Sequence, residues 1–112
     1  MPERFRKFKE SLQPAVKLAI AAENCFLEDT TGEAFSAYSA YLRQRLRPAA
    51  ELFAEQEDTE GLDRLWQLEP FPRSLVEDLL RQAAAKRKNA VYAWALKRKQ
   101  ENWGFSPRNF SL

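Results

Sequence analysis

The chain contains two segments that resemble each other, and this feature constrains its fold more than any other. LQPAVKLAIAAEN, residues 12–24, aligns without gaps on LRPAAELFAEQED, residues 46–58, at a separation of 34 residues. The two segments share a Leu, a Pro, an Ala, a second Leu and a late Glu in the same order. Self-similarity at a period of roughly 20 to 50 residues is typical of arrays in which each unit buries its apolar face against its neighbours. The sequence therefore predicts stacked units of one kind.

Each of the two segments is predicted to be a helix with a proline in its first turn. Pro14 and Pro48 hold that position, where the missing backbone N–H is not needed for a hydrogen bond. Each segment ends in a residue that favours the N-cap of a following helix, Asn24 in the first and Asp58 in the second. We therefore expect a second helix after each of them.

The rest of the chain supplies candidate partner helices. After Asp58, the segment TEGLDRLWQLE places leucines and a tryptophan on one stripe at helical spacing, and PFP at 70–72 ends it. A third unit begins with the apolar stripe of SLVEDLLRQAAA, breaks at KRKN, and continues as a helix from Ala90 to about Trp103. With Asn89 as the N-cap of this last helix, the unit length is 31 residues. The units are predicted to be antiparallel helix pairs.

The first unit departs from this pattern. A DTTG turn at 29–32 displaces the expected partner helix. Apolar residues then recur at spacings of three and four across residues 33–56, which form either one helix kinked at Pro48 or two separate helices. The opening FRKFKE, residues 5–10, is amphipathic but short, and we expect a frayed turn or the edge of a cap there.

The composition agrees with a helical domain. Gly accounts for only three of 112 residues and hydrophobic residues for 45%, which favours a folded chain rich in helix. We therefore expect an all-α fold of stacked antiparallel helix pairs, a short α-solenoid, as one helical-repeat domain over residues 1–112. Its units are predicted at about 10–45, 46–72 and 73–105, followed by a tail at 106–112.

The second half of the chain carries a family resemblance. Its segments EDTEGLDRLWQLEPFP, EDLLRQAA and AWALKRKQENWGF, all within residues 57–105, resemble degenerate ankyrin-like helical modules of uncharacterised bacterial multidomain proteins. The TPLH signature of ankyrin repeats is absent, as is the tetratricopeptide pattern of Trp, Leu-Gly and Tyr. The resemblance implies protein binding rather than catalysis, and a place within a larger bacterial protein. It assigns no catalytic or ligand-binding residue.

The residues that most catalytic and metal sites require are scarce. The chain has no histidine and one cysteine, Cys25, so a zinc site, a Cys-His pair and an intrachain disulfide are excluded. It also lacks a Gly-rich phosphate loop and an EF-hand ladder. We therefore predict that the protein is not an enzyme and has no catalytic residue, metal site or cofactor, and that Cys25 is a small buried side chain.

Apolar runs bear on localisation. The longest, LAIAA at 18–22, is far shorter than the about 20 residues that span a bilayer. The opening MPERFRKFKE lacks the apolar core of a signal peptide. We expect a cytoplasmic protein with no membrane partner.

The segment KRKNAVYAWALKRKQENWGF, residues 86–105, combines two basic clusters with aromatic residues. The predicted core face of its helix consists of Val91, Tyr92, Ala95, Leu96 and Trp103. Trp94 falls outside that face, near Arg87 and Arg98. It either packs against a neighbouring helix with an arginine over its ring, or stays exposed at the centre of a binding surface. We take Arg87, Trp94 and Arg98 as the candidate partner-binding residues.

Charge is distributed unevenly along the chain. Residues 51–69 carry seven acids and one base, a net charge of −6, whereas residues 79–100 carry seven bases and no acid, a net charge of +7. If the units stack side by side, an acidic face meets a basic one. The basic segment 81–99 supports an alternative function, nucleic-acid binding through phosphate contacts and stacking on Trp94. The net charge of the whole chain is only +2 and it has no nucleic-acid motif, so a protein partner is the preferred prediction.

Overall fold

The computed structural model describes residues 3–104, and within them every regular element is a helix. Seven helices follow one another along this part of the chain: α1 (Glu3–Glu10), α2 (Pro14–Asn24), α3 (Gly32–Gln44), α4 (Leu46–Glu55), α5 (Thr59–Leu68), α6 (Arg73–Lys86) and α7 (Asn89–Trp103). The predicted all-α fold is confirmed for these residues. The predicted tail at 106–112 lies outside them.

Neighbouring helices along the chain pack on each other, and the last two pairs also touch. α4 packs on α5 and α6 on α7, while α6 contacts α4 and α7 contacts α5. In the N-terminal part, α2 contacts both α1 and α3. The molecule is elongated, with extents of 58 × 27 × 22 Å. A single apolar core includes buried side chains from all seven helices.

The N-terminal segment forms a helix where the sequence analysis predicted a frayed turn or the edge of a cap. Phe5 and Phe8 of α1 are both buried. The centres of their rings lie 5.5 and 5.0 Å from that of Tyr38 in α3, in edge-to-face contacts. A helix of eight residues is not stable alone in water, so the burial of these two aromatic rings is what stabilises α1.

Residues 33–56 form two helices, which decides between the two structures that the sequence left open. The break lies at Arg45, whose φ of −125° and ψ of 49° are not helical. In a continuous helix, the ring of Pro48 would clash with the carbonyl of Gln44, four residues earlier, and that carbonyl would lose its donor. The break removes this conflict and leaves Pro48 in the first turn of α4, where no N–H is required.

One of the three predicted N-caps is confirmed and two are wrong. The carboxylate of Asp58 accepts a hydrogen bond of 2.9 Å from the backbone N–H of Gly61, as an N-cap should. Asn24 instead ends α2, and its side-chain amide donates to the carbonyl of Ile20 at 2.8 Å. Asn89 is the first residue of α7, so the N-cap position falls on Lys88. The unit length based on Asn89 is therefore also corrected.

The turns between α4 and α5 and between α6 and α7 have the same backbone structure. Glu57 and Arg87 adopt left-handed conformations, with φ of 53° and 57°. The N–H of the next residue bonds back across the turn in both cases, from Asp58 to the carbonyl of Phe53 and from Lys88 to that of Ala83, each at 2.9 Å. This bond is the signature of a Schellman motif. The two turns are 30 residues apart, one fewer than predicted.

Gly61 allows α4 and α5 to approach each other closely. A Cβ atom at this position would lie 2.5 Å from the ring of Phe53, which is buried in α4. The corresponding residue of the next pair, 30 positions later, is the buried Val91 of α7, opposite the smaller Ala83 of α6. In each pair, a larger residue on one helix thus packs near a smaller one on its partner. The larger residue, Phe53, is on the first helix of the pair α4–α5, whereas the larger residue of α6–α7, Val91, is on the second helix.

Candidate functional site

Trp94 lies in the contact between α7 and α5 and is only partly exposed. Its indole N–H donates to a carboxylate oxygen of Asp63 at 2.6 Å. Its ring centre lies 6.1 Å from that of Trp66 and 5.7 Å from that of Phe71. The guanidinium of Arg98 stands 5.1 Å from the ring centre of Trp66 and 5.4 Å from that of Trp94. Of the two interpretations of Trp94, this geometry corresponds to packing with an arginine over the ring.

Asp63 is the polar centre of this cluster, and the sequence analysis did not single it out. Arg98 forms an ion pair with it, so two polar contacts of α7 converge on one carboxylate. Burial alone would raise the pKa of Asp63, but the hydrogen bonds from Trp94 and Arg98 outweigh burial and hold the pKa below its usual range. The carboxylate is therefore ionised at neutral pH and joins α5 to α7.

Arg87 lies apart from this cluster, in the left-handed turn between α6 and α7. Its side chain is exposed and makes no ion pair with any residue in the range 3–104. The structure thus brings Trp94 and Arg98 together with Asp63 and leaves Arg87 outside. The role of all three candidate residues in partner binding stays a prediction.

Most of the basic side chains in the segment 79–100 already contact oxygen atoms of the same chain. Five of the seven do so: Arg81 with Asp78, Lys86 with Glu55, Lys88 with the carbonyl of Glu55, Arg98 with Asp63 and Lys99 with Glu77. The hydrogen bond from Lys86, at 2.9 Å, lowers the pKa of Glu55. Lys86, Lys88 and Arg98 therefore join α6 and α7 to acidic residues or a carbonyl of α4 and α5. Arg81 and Lys99 instead pair with acidic residues of α6.

Tyr92 is the residue on α7 that the sequence analysis placed wrongly. It was assigned to the core face, but its side chain is 41% exposed, whereas Val91 and Ala95 are buried. Tyr92 and Trp94 point about 160° apart around the helix. α5 contacts α7 on the Trp94 side, so Tyr92 lies on the side of α7 away from α5, where its side chain is exposed.

Tyr92 lines an open groove between α6 and α7, which we call the outer groove. Its volume is about 420 Å³, and it is lined by Glu77, Leu80, Arg81, Ala84, Tyr92, Leu96 and Lys99. The centre is apolar, with half-buried Leu80 and Leu96 beside exposed Ala84 and Tyr92. Charged side chains form its edges. An exposed tyrosine between aliphatic side chains, with arginine and lysine at the rim, is typical of protein-binding surfaces.

A second groove lies beside the loop between α2 and α3. It has a volume of about 320 Å³, and Leu27 and Phe35, which are 42% and 38% exposed, form part of its lining. Arg64 of α5 crosses it and donates to the carbonyl of Phe26 at 3.0 Å. This hydrogen bond ties the loop between α2 and α3 to α5, and the Arg64 side chain occupies part of the groove.

No family model, no curated protein and no solved structure matches the chain. The resemblance to ankyrin-like modules is thus neither supported nor opposed by a relative, and the outer groove has to be interpreted from its own chemistry.

Among residues 3–104, no three Cys, Asp or Glu side chains are grouped in a way that could hold a metal ion. Within the same range, no helix is long and apolar enough to cross a membrane.

Cys25 is 1% exposed, as the sequence analysis predicted. Burial raises the pKa of its thiol to about 11, which keeps the thiol protonated at neutral pH.

Proposed function

We propose that this chain is a non-enzymatic protein-interaction module that binds its partner in the outer groove. The observation that carries the proposal is the exposure of Tyr92, at 41%, beside Leu80 of α6 and Leu96 of α7 in the open groove between these two helices. Exposed tyrosine and arginine side chains are enriched where proteins bind each other, and Tyr92 and Arg81 both line this groove. Arg87, exposed in the turn between α6 and α7, stays a candidate partner-binding residue outside the lining of this groove.

The architecture we propose is a stack of helix pairs, in which α6–α7 follows α4–α5. Two features support it: the shared turn structure at a spacing of 30 residues, and hydrogen bonds between α4 and α6 that join residues 31 apart. In such a stack each pair covers the preceding one, and the last pair has an outer face. The outer groove is that face.

The internal pairing of the basic segment supports a protein partner over a nucleic acid. A phosphate-binding surface needs several free Lys or Arg side chains. Within residues 3–104, only Arg87 and Lys97 of the seven bases in segment 79–100 lack an oxygen partner, and Trp94, the proposed stacking residue, packs against Trp66. Nucleic-acid binding would require most of these contacts to open.

The chemistry of the groove also favours binding over catalysis. Its single carboxylate, Glu77, accepts a hydrogen bond from Arg73 at 3.1 Å and lies 3.6 Å from Lys99. Those contacts lower the pKa of Glu77, so the group is a poor proton carrier at neutral pH. No second carboxylate lines this groove.

The proposal is tested with the full chain and two sets of probes in parallel. A displayed library of helical hairpins is selected against the immobilised protein, and fluorescent single- and double-stranded oligonucleotides are titrated at low and at moderate salt. We expect hairpins that bind with a Kd on the order of a micromolar or lower, and no oligonucleotide binding at moderate salt. Oligonucleotide binding that persists and is lost when Lys86, Arg87, Lys88, Lys97, Arg98 and Lys99 are neutralised would assign the function to nucleic acid instead.

A further inference from the structure

The shared turn gives a residue-by-residue correspondence between the two helix pairs. Glu57 and Arg87 are 30 residues apart, so each residue of α4–α5 corresponds to the residue 30 positions later in α6–α7. By this correspondence, the apolar centre of the outer groove matches a surface of α4–α5. The four matches are Ala50 to Leu80, Ala54 to Ala84, Leu62 to Tyr92 and Trp66 to Leu96. The outer groove thus occupies, on α6–α7, the place that this surface occupies on α4–α5.

On α4–α5 that surface is covered by the next helix pair. Ala54 and Glu51 line the crevice between α4 and α6. Trp66 meets the rings of Trp94 and Trp103 of α7, with centres 6.1 and 6.5 Å away. Ala50 and Leu62 are fully buried, whereas Tyr92 is 41% exposed. A helix pair therefore fits on the surface of α4–α5, and the corresponding surface of α6–α7, the outer groove, is open.

The charges around the two surfaces are opposite in sign at three corresponding positions. Arg47 corresponds to Glu77, Glu51 to Arg81 and Glu69 to Lys99. On α4–α5, the covering pair supplies complementary charge: Asp78 accepts from Arg47 at 2.6 Å, and Lys86 donates to Glu55 at 2.9 Å. The charges that α6–α7 presents to α4–α5 include Asp78 and Lys86. Because the signs on the outer side of α6–α7 are reversed, an element that covers this side in the same way must carry charges of the opposite sign at the corresponding positions.

The outer groove is basic on balance. Two of its three charged residues are bases, and the acid, Glu77, is already shared by Arg73 and Lys99. The Arg81 side chain is 72% exposed and contacts only Asp78 within residues 3–104. Arg81 and Lys99 are each paired with one carboxylate of α6 and have further N–H donors, which an incoming carboxylate can share at the edges of the apolar centre.

We propose that the outer groove binds an amphipathic α-helical element of a partner protein, with leucine-like side chains against Tyr92 and acidic residues facing Arg81 and Lys99. This inference rests on the proposed function and specifies the chemistry of the partner. The element lies on α6–α7 as α6–α7 lies on α4–α5. Its apolar stripe fills the groove between α6 and α7, and its carboxylates bind the two bases at the edges.

The test uses two designed helical peptides with the same apolar stripe of leucines and alanines, one flanked by Glu and the other by Lys. Each is titrated by fluorescence anisotropy against the full chain, against Arg81→Glu/Lys99→Glu, and against the control Arg6→Glu/Lys97→Glu. Arg6 and Lys97 are exposed and make no ion pair within residues 3–104, so the control changes the net charge equally without touching the groove.

We expect the Glu-flanked peptide to bind the natural chain about tenfold more tightly than the Lys-flanked one. The groove variant should reverse this preference and the control variant should retain it. Circular dichroism of each variant checks that the helices persist.

Three results would overturn the inference: equal affinity for the two peptides, preference for the Lys-flanked peptide, or the same loss in the control as in the groove variant. Concentration-dependent dimerisation that Tyr92→Ala abolishes would assign the groove to a second copy of the chain. If hairpins selected from the library still bind in the groove, these results overturn the acidic helix alone and leave the proposed function standing.

Discussion

At the scale of single residues, Asp63 shows how one carboxylate joins two helices. Its hydrogen bond from Trp94 and its ion pair with Arg98 hold α7 against α5, and the sequence shows neither, because the three residues are 31 and 35 positions apart. Its pKa in the folded protein lies below its usual range. The stability that this group contributes is therefore present above about pH 4 and is lost as the pH falls through the lowered value.

We predict that Asp63→Asn lowers the free energy of unfolding at neutral pH by about 1 kcal/mol or less, since the carboxylate is partly exposed. The difference from the natural chain should narrow as the pH falls below about 4. Urea unfolding at a series of pH values measures this, with Glu28→Gln, an exposed acid on the α2–α3 loop, as the control. A difference that stays constant down to acid pH would mean that the charge of Asp63 is not what stabilises the contact.

The same scale shows what could be predicted of the site. Cys25, Asp58 and the apolar stripes follow from residue type and spacing, and the structure agrees with them. Tyr92 could not be placed, because its burial depends on which side of α7 has a neighbouring helix. A helical wheel gives the angle between Tyr92 and Trp94 but not the position of α5.

At the scale of helices and turns, the similarity of the two segments near Pro14 and Pro48 led to only part of the structure. Both segments form helices that start near the proline, but Asn24 and Asp58 then behave differently. Asp58 follows the left-handed Glu57 and caps α5 at once, whereas seven residues separate Asn24 from the start of α3. The stronger structural similarity lies between α4–α5 and α6–α7, whose sequences show little identity.

We predict that Glu57→Gly and Arg87→Gly each raise the free energy of unfolding by about 0.5 to 1 kcal/mol. Both residues adopt a left-handed backbone conformation, which is unfavourable for any residue that has a Cβ atom and which glycine adopts freely. Thermal and urea unfolding measure the change. Lys97→Gly, in the middle of α7, is the control and should lower stability by about 1 kcal/mol. If only one of the two turn variants is stabilised, the two turns are not equivalent and the 30-residue correspondence fails.

At the scale of the whole molecule, opposite charges on neighbouring segments are used mainly inside the chain. Lys86 with Glu55 and Arg98 with Asp63 join α6–α7 to α4–α5, as the charge distribution predicted for units side by side. The basic segment 81–99 is thus mostly a contact surface between helices. On the opposite side of α7, apolar side chains of the outer groove, Tyr92 among them, remain open to a partner.

The location of the binding surface is tested by comparing two variants of α7. The hairpins selected against the full chain are titrated against Tyr92→Ala and, as the matched aromatic variant, Trp94→Phe. We predict that Tyr92→Ala weakens binding by about tenfold or more while Trp94→Phe leaves the affinity within about twofold. The reverse result, with loss of binding in Trp94→Phe and none in Tyr92→Ala, would place the surface around Trp94 and Arg98 and contradict this account.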